Sequence, residues 1–403
     1  MAQRFVFHVD VNSAFLSWEA VRRLQEGDEL DLRTVPAAVG GDEKSRHGII
    51  TAKSIPAKAY GVTTGEPVAQ ALKKCPDLIL VPGDFELYHR CSAAFIAICR
   101  EYSPVVEQFS IDECFLDMTG IAENEADAVR LADELRERIH NELMFTVNIG
   151  VSENKLLAKM ASDFKKPDLT HTLWREEIPG KMWPLPASDL LFVGKASAGG
   201  LKNLGIRTIG QLAAMPEAVL KAHFGEKSGE YMHRAANGMD DSSVSGVPEK
   251  AKGYGNSTTL ANDLLSEEEA RPVLLRLSES VSRRMRKDNV KGGLVTVTIR
   301  YNDFTDRSRQ RKLEFYTDGT DIIYKEALRL FSELWDKMTP IRLLGVSCGN
   351  LSDGKNEQLS FIDAKEREKQ EKLDRMLDSI REKYGKDAVL RTAELKKREN
   401  GEG

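Results

Sequence analysis

No stretch of this sequence approaches the roughly 18 consecutive apolar residues that a membrane-spanning helix needs. The five cysteines, at 75, 91, 99, 114 and 348, are scattered, with neither a CxxC pair nor Cys/His metal spacing. That pattern excludes a zinc ribbon and points to reduced thiols filling a core in the cytoplasm. Met1-Ala2-Gln3-Arg4 runs straight into an apolar segment, so no secretory signal is expected. The chain also lacks an excess of positive charge: its formal net charge is −5, which by itself disfavours a nucleic-acid partner. The charge is segregated, however. Residues 281–314 hold ten Lys/Arg (283, 284, 286, 287, 291, 300, 307, 309, 311, 312) against four acids (288, 303, 306, 314), a local balance of 10 − 4 = +6. Such a block is the electrostatic footprint that a phosphate backbone requires.

With 403 residues, 41% apolar and 30% charged, the chain is long enough for several globular domains. Two short acidic motifs carry the chemistry. His8-Val9-Asp10-Val11-Asn12 ends an apolar run near the N-terminus, and Ser110-Ile111-Asp112-Glu113 lies between two apolar runs. Each sets carboxylate at the end of a predicted buried strand. Carboxylates converging there suit a pair of divalent cations, which take hard oxygen ligands. Such a pair clamps the attacking and leaving oxygens of a phosphoryl or nucleotidyl transfer.

Periodicity predicts a strand at 4–10, a helix at 14–25, strands at 104–109 and 113–118, a helix at 124–142 and a strand at 145–151. This order is the ferredoxin-like pattern, in which Asp10 and Asp112 fall on neighbouring strands. The insert at 31–80 predicts strands near 34–39 and 48–53, then helical turns. Segments 189–205 and 224–238 read as two short helical hairpins, each bearing glycine; Gly194 would open a helix with bare N–H groups that suit a phosphate. Beyond a polar linker at 243–254, residues 255–351 form a separate unit: helix 265–287, strands 293–301 and 310–316, helix 320–337, strand 341–350. Residues 352–403 form a charged tail, predicted helical over 363–398. The fold class is therefore α+β and multidomain.

Further motifs follow in order. They are Ser54-Ile55-Pro56-Ala57-Lys58-Ala59-Tyr60-Gly61-Val62 and the run from Val147 to Pro167 containing Asn154-Lys155 and Ala161-Ser162-Asp163. With the two acidic motifs they resemble the Y-family translesion DNA polymerases, nearest to the DinB (DNA polymerase IV) and UmuC branches. The resemblance covers residues 4–351. It implies a palm at 1–30 and 80–167, fingers at 31–79, a helical thumb at 168–242 and a little finger at 255–351. It departs from the family at Ile55, where a tyrosine usually stands, at Lys58, usually arginine, at Asn12, often acidic in the DinB branch, and at the first hairpin, which keeps only Val193-Gly194-Lys195.

The resemblance assigns roles. Asp10, Asp112, Glu113 and the Val11 carbonyl would bind two Mg²⁺ ions, with Glu113 nearest to primer activation. Lys58 and Lys166 would meet the phosphates of a dNTP, and Phe15 would be a steric gate against the ribose 2′-hydroxyl. Lys155 and Lys159 are equally basic but open to a structural reading. Arg307, Arg309, Arg311 and Lys312, with Gly194, would hold primer-template DNA. Gln358-Leu359-Ser360-Phe361-Ile362 looks like a sliding-clamp-binding peptide, so a clamp is an expected partner of a monomeric enzyme. The function implied is low-fidelity, template-directed DNA synthesis. Two alternatives stay open: another palm-type nucleotidyl enzyme, and a DNA- and clamp-binding scaffold without catalysis.

Overall fold

Strict alternation along the first strand organises the N-terminal half. In β1 (Val6–Val11), Phe7, Val9 and Val11 are buried in one apolar core, whereas Val6, His8 and Asp10 face the other way. The computed structural model describes residues 3–41, 48–353, 364–385 and 388–389. The chain divides at Pro248–Glu249 into two units. Among the described residues, no helix is long and apolar enough to cross a membrane.

The first unit continues through α1 (Ala14–Gln25), β2 (Ala37–Gly40), β3 (Ile50–Lys53), α2 (Ile55–Ala59), α3 (Val68–Lys74), β4 (Ile79–Val81), α4 (Phe85–Tyr102), β5 (Val106–Gln108), β6 (Glu113–Asp117), α5 (Glu125–Leu143), β7 (Val147–Ser152), α6 (Lys155–Ser162) and β8 (Thr170–Thr172). Four helices follow: α7 (Lys195–Asn203), α8 (Ile209–Ala214), α9 (Glu217–Phe224) and α10 (Glu226–Ala236). The main sheet has the order β5-β6-β1-β7-β8, with β1 antiparallel to both of its neighbours. This is the expected ferredoxin-like centre.

One face of that sheet buries Phe7, Val9, Leu116 and Ile149 against Trp18 of α1, Phe95 and Cys99 of α4, and Leu135 and Ile139 of α5. Each such side chain contributes about 1.5–3 kcal/mol. The sequence reading omitted α4. Asp84 starts it by accepting hydrogen bonds from the N–H groups of Glu86 and Leu87, and it buries Leu87, Tyr88, Phe95, Ile96 and Cys99 at helical spacing. Helix α6 covers the opposite face. It lies so close to β7 that a Cβ on Gly150 would sit 1.9 Å from the Ala158 carbonyl oxygen, so only glycine fits there.

A second sheet, β3-β2-β4, is formed by the 31–80 insert around its own apolar cluster. Helices α7–α10 enclose a further core containing Leu201, Leu212, Leu220 and Met232. Here the structure differs from the expected hairpins. Within segment 224–238 there is one helix, α10 (Glu226–Ala236); its partner is α9, which ends at Phe224 and is joined to it through Gly225 at φ 86. A left-handed residue there reverses the chain at no steric cost to glycine.

The second unit holds β9 (Gly253–Leu264), α11 (Glu267–Lys287), β10 (Lys291–Tyr301), β11 (Asp306–Thr317), α12 (Thr320–Leu334), β12 (Ile341–Ser352) and α13 (Ala364–Tyr384). Its sheet order is β11-β10-β12-β9. Val295, Val297, Ile299, Leu344 and Val346 pack under α11 and α12. β9 was not anticipated, because its Gly-Asn-Ser-Thr composition reads as linker; pairing with β12 makes it a strand. Helix α13 docks through Asp374, which is buried, accepts from the Thr320 N–H at 3.0 Å, and lies 3.5 Å from Arg286.

Candidate active site

The two acidic motifs meet because β1 and β6 are register-locked neighbours: Asp10 opposes Glu113, and the Val11 N–H donates to the Asp112 carbonyl at 2.9 Å. On the other side of β1, Asp10 opposes Asn148 of β7. Asp10, Glu113 and Asn148 thus form a row on the α6 face of the sheet. Helix α6 supplies the counter-charges. Lys159 pairs with Glu113, and Lys155 pairs with Glu107 at 2.6 Å. Lys155 is thereby a strap between α6 and β5, and Lys159 belongs to the carboxylate row.

Glu113 also meets buried His8, whose Nε2 lies 3.1 Å from Oε2 and whose Nδ1 contacts the Ser162 hydroxyl at 2.7 Å. Burial alone would raise the Glu113 carboxyl, but His8 and Lys159 outweigh it and hold it at about 2. Burial lowers the His8 imidazole, and the hydrogen bond to Glu113 opposes that shift. Asp10 moves the opposite way. Burial raises it to about 6, even though Lys166 pairs with it and stabilises its charge, while Asp163 and Asp112 add repulsion. Asp112 accepts from the Ser110 hydroxyl at 2.5 Å.

Among the described residues, no three His, Cys, Asp or Glu side chains close on one point as a metal cage. The side chains of Asp10 and Glu113 are directed to lysines instead. A Mg²⁺ ion nevertheless fits this donor set. It keeps several waters and takes one or two carboxylates together with substrate phosphates, rather than an all-protein cage. Asp10, Asp112, Glu113 and the Val11 carbonyl are all hard oxygen donors.

Asp10 and Asp112 open onto a cavity of about 490 Å³, also lined by Val11, Phe15, Arg33, Thr51, Lys53, Ser54, Ile55, Lys58, Thr146 and Lys166. Phe15 forms its aromatic wall. Its ring is stacked on Tyr88 at 4.5 Å and 10°, and the Tyr88 hydroxyl donates to buried Glu19 at 2.9 Å. Lys166 is carried on a loop that Asn12 fixes. The Asn12 amide donates to Asn148 at 3.1 Å and accepts from the Asp168 N–H at 3.0 Å. Asn12, the departure noted in the first motif, is therefore a buried positioning residue. Arg33 and Lys53 were not anticipated. Both are single basic residues in the insert, and the fold sets them in the lining of the cavity onto which Asp10 opens.

Arg307, Arg309 and Arg311 share one face of β11, opposite Ile299, Val297 and Val295 respectively. That is the face covered by α11 and α12. Accordingly Arg311 binds Glu326 and Glu333, each at 2.9 Å, and Arg309 reaches Glu333 at 3.2 Å. Lys312 lies on the reverse, open face, in line with Leu294 and Gly349. Beside it run Gln310-Thr296-Ser347-Gly255 and Ser308-Thr298-Gly345-Ser257, rows of small and polar residues. Gly194 is the N-cap of α7, with open space where a Cβ would be. Gln358, Leu359 and Phe361 lie outside the described residues.

Comparison with known proteins agrees with this geometry. Residues 9–163 match the impB/mucB/samB family, residues 251–361 its C-terminal domain, and residues 188–240 the thumb domain of DNA polymerase-iota. DNA polymerase IV of Clostridium acetobutylicum is 44% identical over 396 residues, covering 98% of this chain and 99% of the relative. DNA polymerase IV 1 of Bacillus subtilis is 38% identical over 402 residues, covering 98% and 94%. A solved Y-family DNA polymerase chimera has the same fold, with a TM-score of 0.75 over 86% of this chain and 98% of its own, at 24% identity. The chain belongs to the Y-family DNA polymerases, in their DNA polymerase IV branch.

Proposed function

We propose that this polymerase extends a primer 3′ end by two-metal nucleotidyl transfer, at low fidelity, in DNA damage tolerance. The observation that carries the reading is the direct opposition of Asp10 and Glu113, with Asp112 beside them, at the edge of a cavity that also holds Lys58, Lys166 and Phe15. Two Mg²⁺ ions, when bound, would acidify the primer 3′-hydroxyl and neutralise charge on the triphosphate. Asp10, Asp112, Glu113 and the Val11 carbonyl would hold them. Lys166 and Lys159, now paired with Asp10 and Glu113, would yield those carboxylates to the ions. Lys166 and Lys58 then bind the β- and γ-phosphates.

Phe15 would close the space beside the sugar and select dNTPs. Residues 1–30 and 80–167 would act as palm, 31–79 as fingers, 168–242 as thumb, and 255–351 as little finger. Gly194 at the start of α7 and the open face around Lys312 would hold primer-template backbone, with Arg307, Arg309 and Arg311 at its edge. Gln358, Leu359 and Phe361 would engage a sliding clamp.

The test is primer extension by the purified chain with Mg²⁺ and four dNTPs. Asp112→Asn and Glu113→Gln are expected to lower the rate on the order of 10²-fold or more, because one ligand of a metal site is lost. Primer-template affinity should be nearly unchanged. Full extension by either variant would refute the mechanism, and no extension by the parent chain would leave a DNA-binding scaffold.

A further inference from the structure

The cavity at Asp10 and Asp112 is lined by four cations: Arg33, Lys53, Lys58 and Lys166. Two of them are neutralised inside the fold. Arg33 forks onto Asp31 through contacts of 2.9 and 2.8 Å, and Lys166 pairs with Asp10 and Asp163. Lys53 and Lys58 are different. Among the described residues neither forms an ion pair, and the Lys53 ammonium donates to the Thr64 hydroxyl at 3.1 Å.

Local structure aims both lysines at the cavity. In β3, Ile50 and Ala52 point into the core, so Thr51 and Lys53 point out of it. Ser54 follows as the N-cap of α2. Its hydroxyl donates to the Val35 carbonyl at 2.7 Å and accepts from Ala57 N–H at 3.0 Å and Ala37 N–H at 3.1 Å. These bonds pin the turn to β2, so Lys53 before it and Lys58 after it are held as neighbours. Burial, and then the charge of Lys58, lowers the Lys53 pKa. Like charges fixed side by side in a partly desolvated pocket are unfavourable until an anion joins them.

We propose that Lys53 is a further phosphate-binding residue of this cavity, beside Lys166 and Lys58, clamping the polyphosphate of the incoming nucleotide together with Lys58. The proposal rests on the nucleotidyl-transfer reading above. Nearby Ile55, more than half exposed, offers no hydrogen-bond donor, so the lysines are the cations that this wall supplies. A phosphodiester of the DNA backbone presents the same chemistry, and the measurements separate the two sources.

The experiment compares the full chain with Lys53→Gln, which keeps a hydrogen-bond donor toward Thr64, and Lys53→Arg, which keeps the charge. Calorimetry reads dGTP binding, with Mg²⁺, to each protein on a dideoxy-terminated primer-template. Fluorescence anisotropy reads primer-template affinity, and steady-state extension reads KM and kcat. Lys53→Gln is expected to weaken dGTP binding and raise KM about tenfold, the loss of one charge-assisted hydrogen bond. Its kcat should stay within about twofold, since the contact is made equally in ground and transition states. Lys53→Arg should fall within about threefold of the parent, because charge is retained.

Unchanged dGTP binding in Lys53→Gln overturns the proposal. So does weakened primer-template binding with unchanged dGTP binding, which assigns Lys53 to the DNA backbone. A parent chain that binds dGTP but extends no primer refutes the polymerase mechanism alone, and the binding ratio still decides Lys53. A parent chain that binds no dGTP refutes both.

Discussion

Replacing Phe15 with alanine tests whether the cavity selects its sugar by shape. The Phe15 ring is not a loose wall. It lies flat on Tyr88 at 4.5 Å, with Trp18 at 5.9 Å and Phe85 at 6.0 Å from its centroid, and Tyr88 is tied to buried Glu19. If Phe15 is the proposed gate, a ribonucleotide enters only when the ring moves. Breaking the stack forfeits about 0.5–1.5 kcal/mol. An off-rotamer χ angle costs about 0.5–1.5 kcal/mol more. The cheapest escape therefore costs about 1–3 kcal/mol, or roughly 5- to 150-fold in relative incorporation at 1.4 kcal/mol per decade. Phe15→Ala removes the clash itself, so the rNTP-to-dNTP efficiency ratio should rise by about that factor. The dNTP efficiency should fall little, because the ring rejects a hydroxyl rather than binding a deoxyribose. Tyr88→Leu, which leaves the gate ring in place but unstacked, should give an intermediate ratio. The assay is single-nucleotide insertion with matched rNTP and dNTP across a concentration series. A ratio unchanged in Phe15→Ala would refute the gate and leave Phe15 as packing for α1.

Two further outcomes concern DNA and clamp. Lys312→Gln should lower the log K versus log salt slope for primer-template by about 0.9, whereas Arg309→Gln with Arg311→Gln should lower it by less than about 1.8, because those arginines must leave Glu333 to meet phosphate. Binding titrations at several salt concentrations decide this; a full 1.8-unit drop for the arginine pair (about 0.9 for each contact) with none for Lys312 would place the backbone on the helix-covered edge. Gln358→Ala with Leu359→Ala and Phe361→Ala should abolish stimulation by a sliding clamp while leaving melting temperature and clamp-free extension unchanged, since tethering acts through effective concentration. Retained stimulation would show that these residues make no clamp contact.

The candidate site of this protein was legible in its sequence because the placement of its carboxylates depends on local order. Alternation along Val6–Val11 fixed which residues of β1 face the core, and that placed Asp10 on the side away from it. The motif with Asp112 and Glu113 begins a strand for the same reason, and the 3.6-residue repeat of α1, α5, α11 and α12 follows from the faces they bury. Family resemblance added the roles and the order of the parts. Other features could not be read this way, because they depend on partners distant in the chain. β9 is polar in composition and becomes a strand only by pairing with β12. Which face of β11 carries Arg309 and Arg311 is set by the register that puts Val297 and Val295 opposite them, and the helix above then supplies Glu333. Lys159 looks like any helical lysine until Gly150 lets α6 settle onto β7 and brings it to Glu113. Lys53 is one basic residue among many in the sequence; only the turn pinned by Ser54 sets it beside Lys58 in the cavity that holds Asp10. Periodicity reports which way a side chain points within its own element, and tertiary packing alone decides what it meets there.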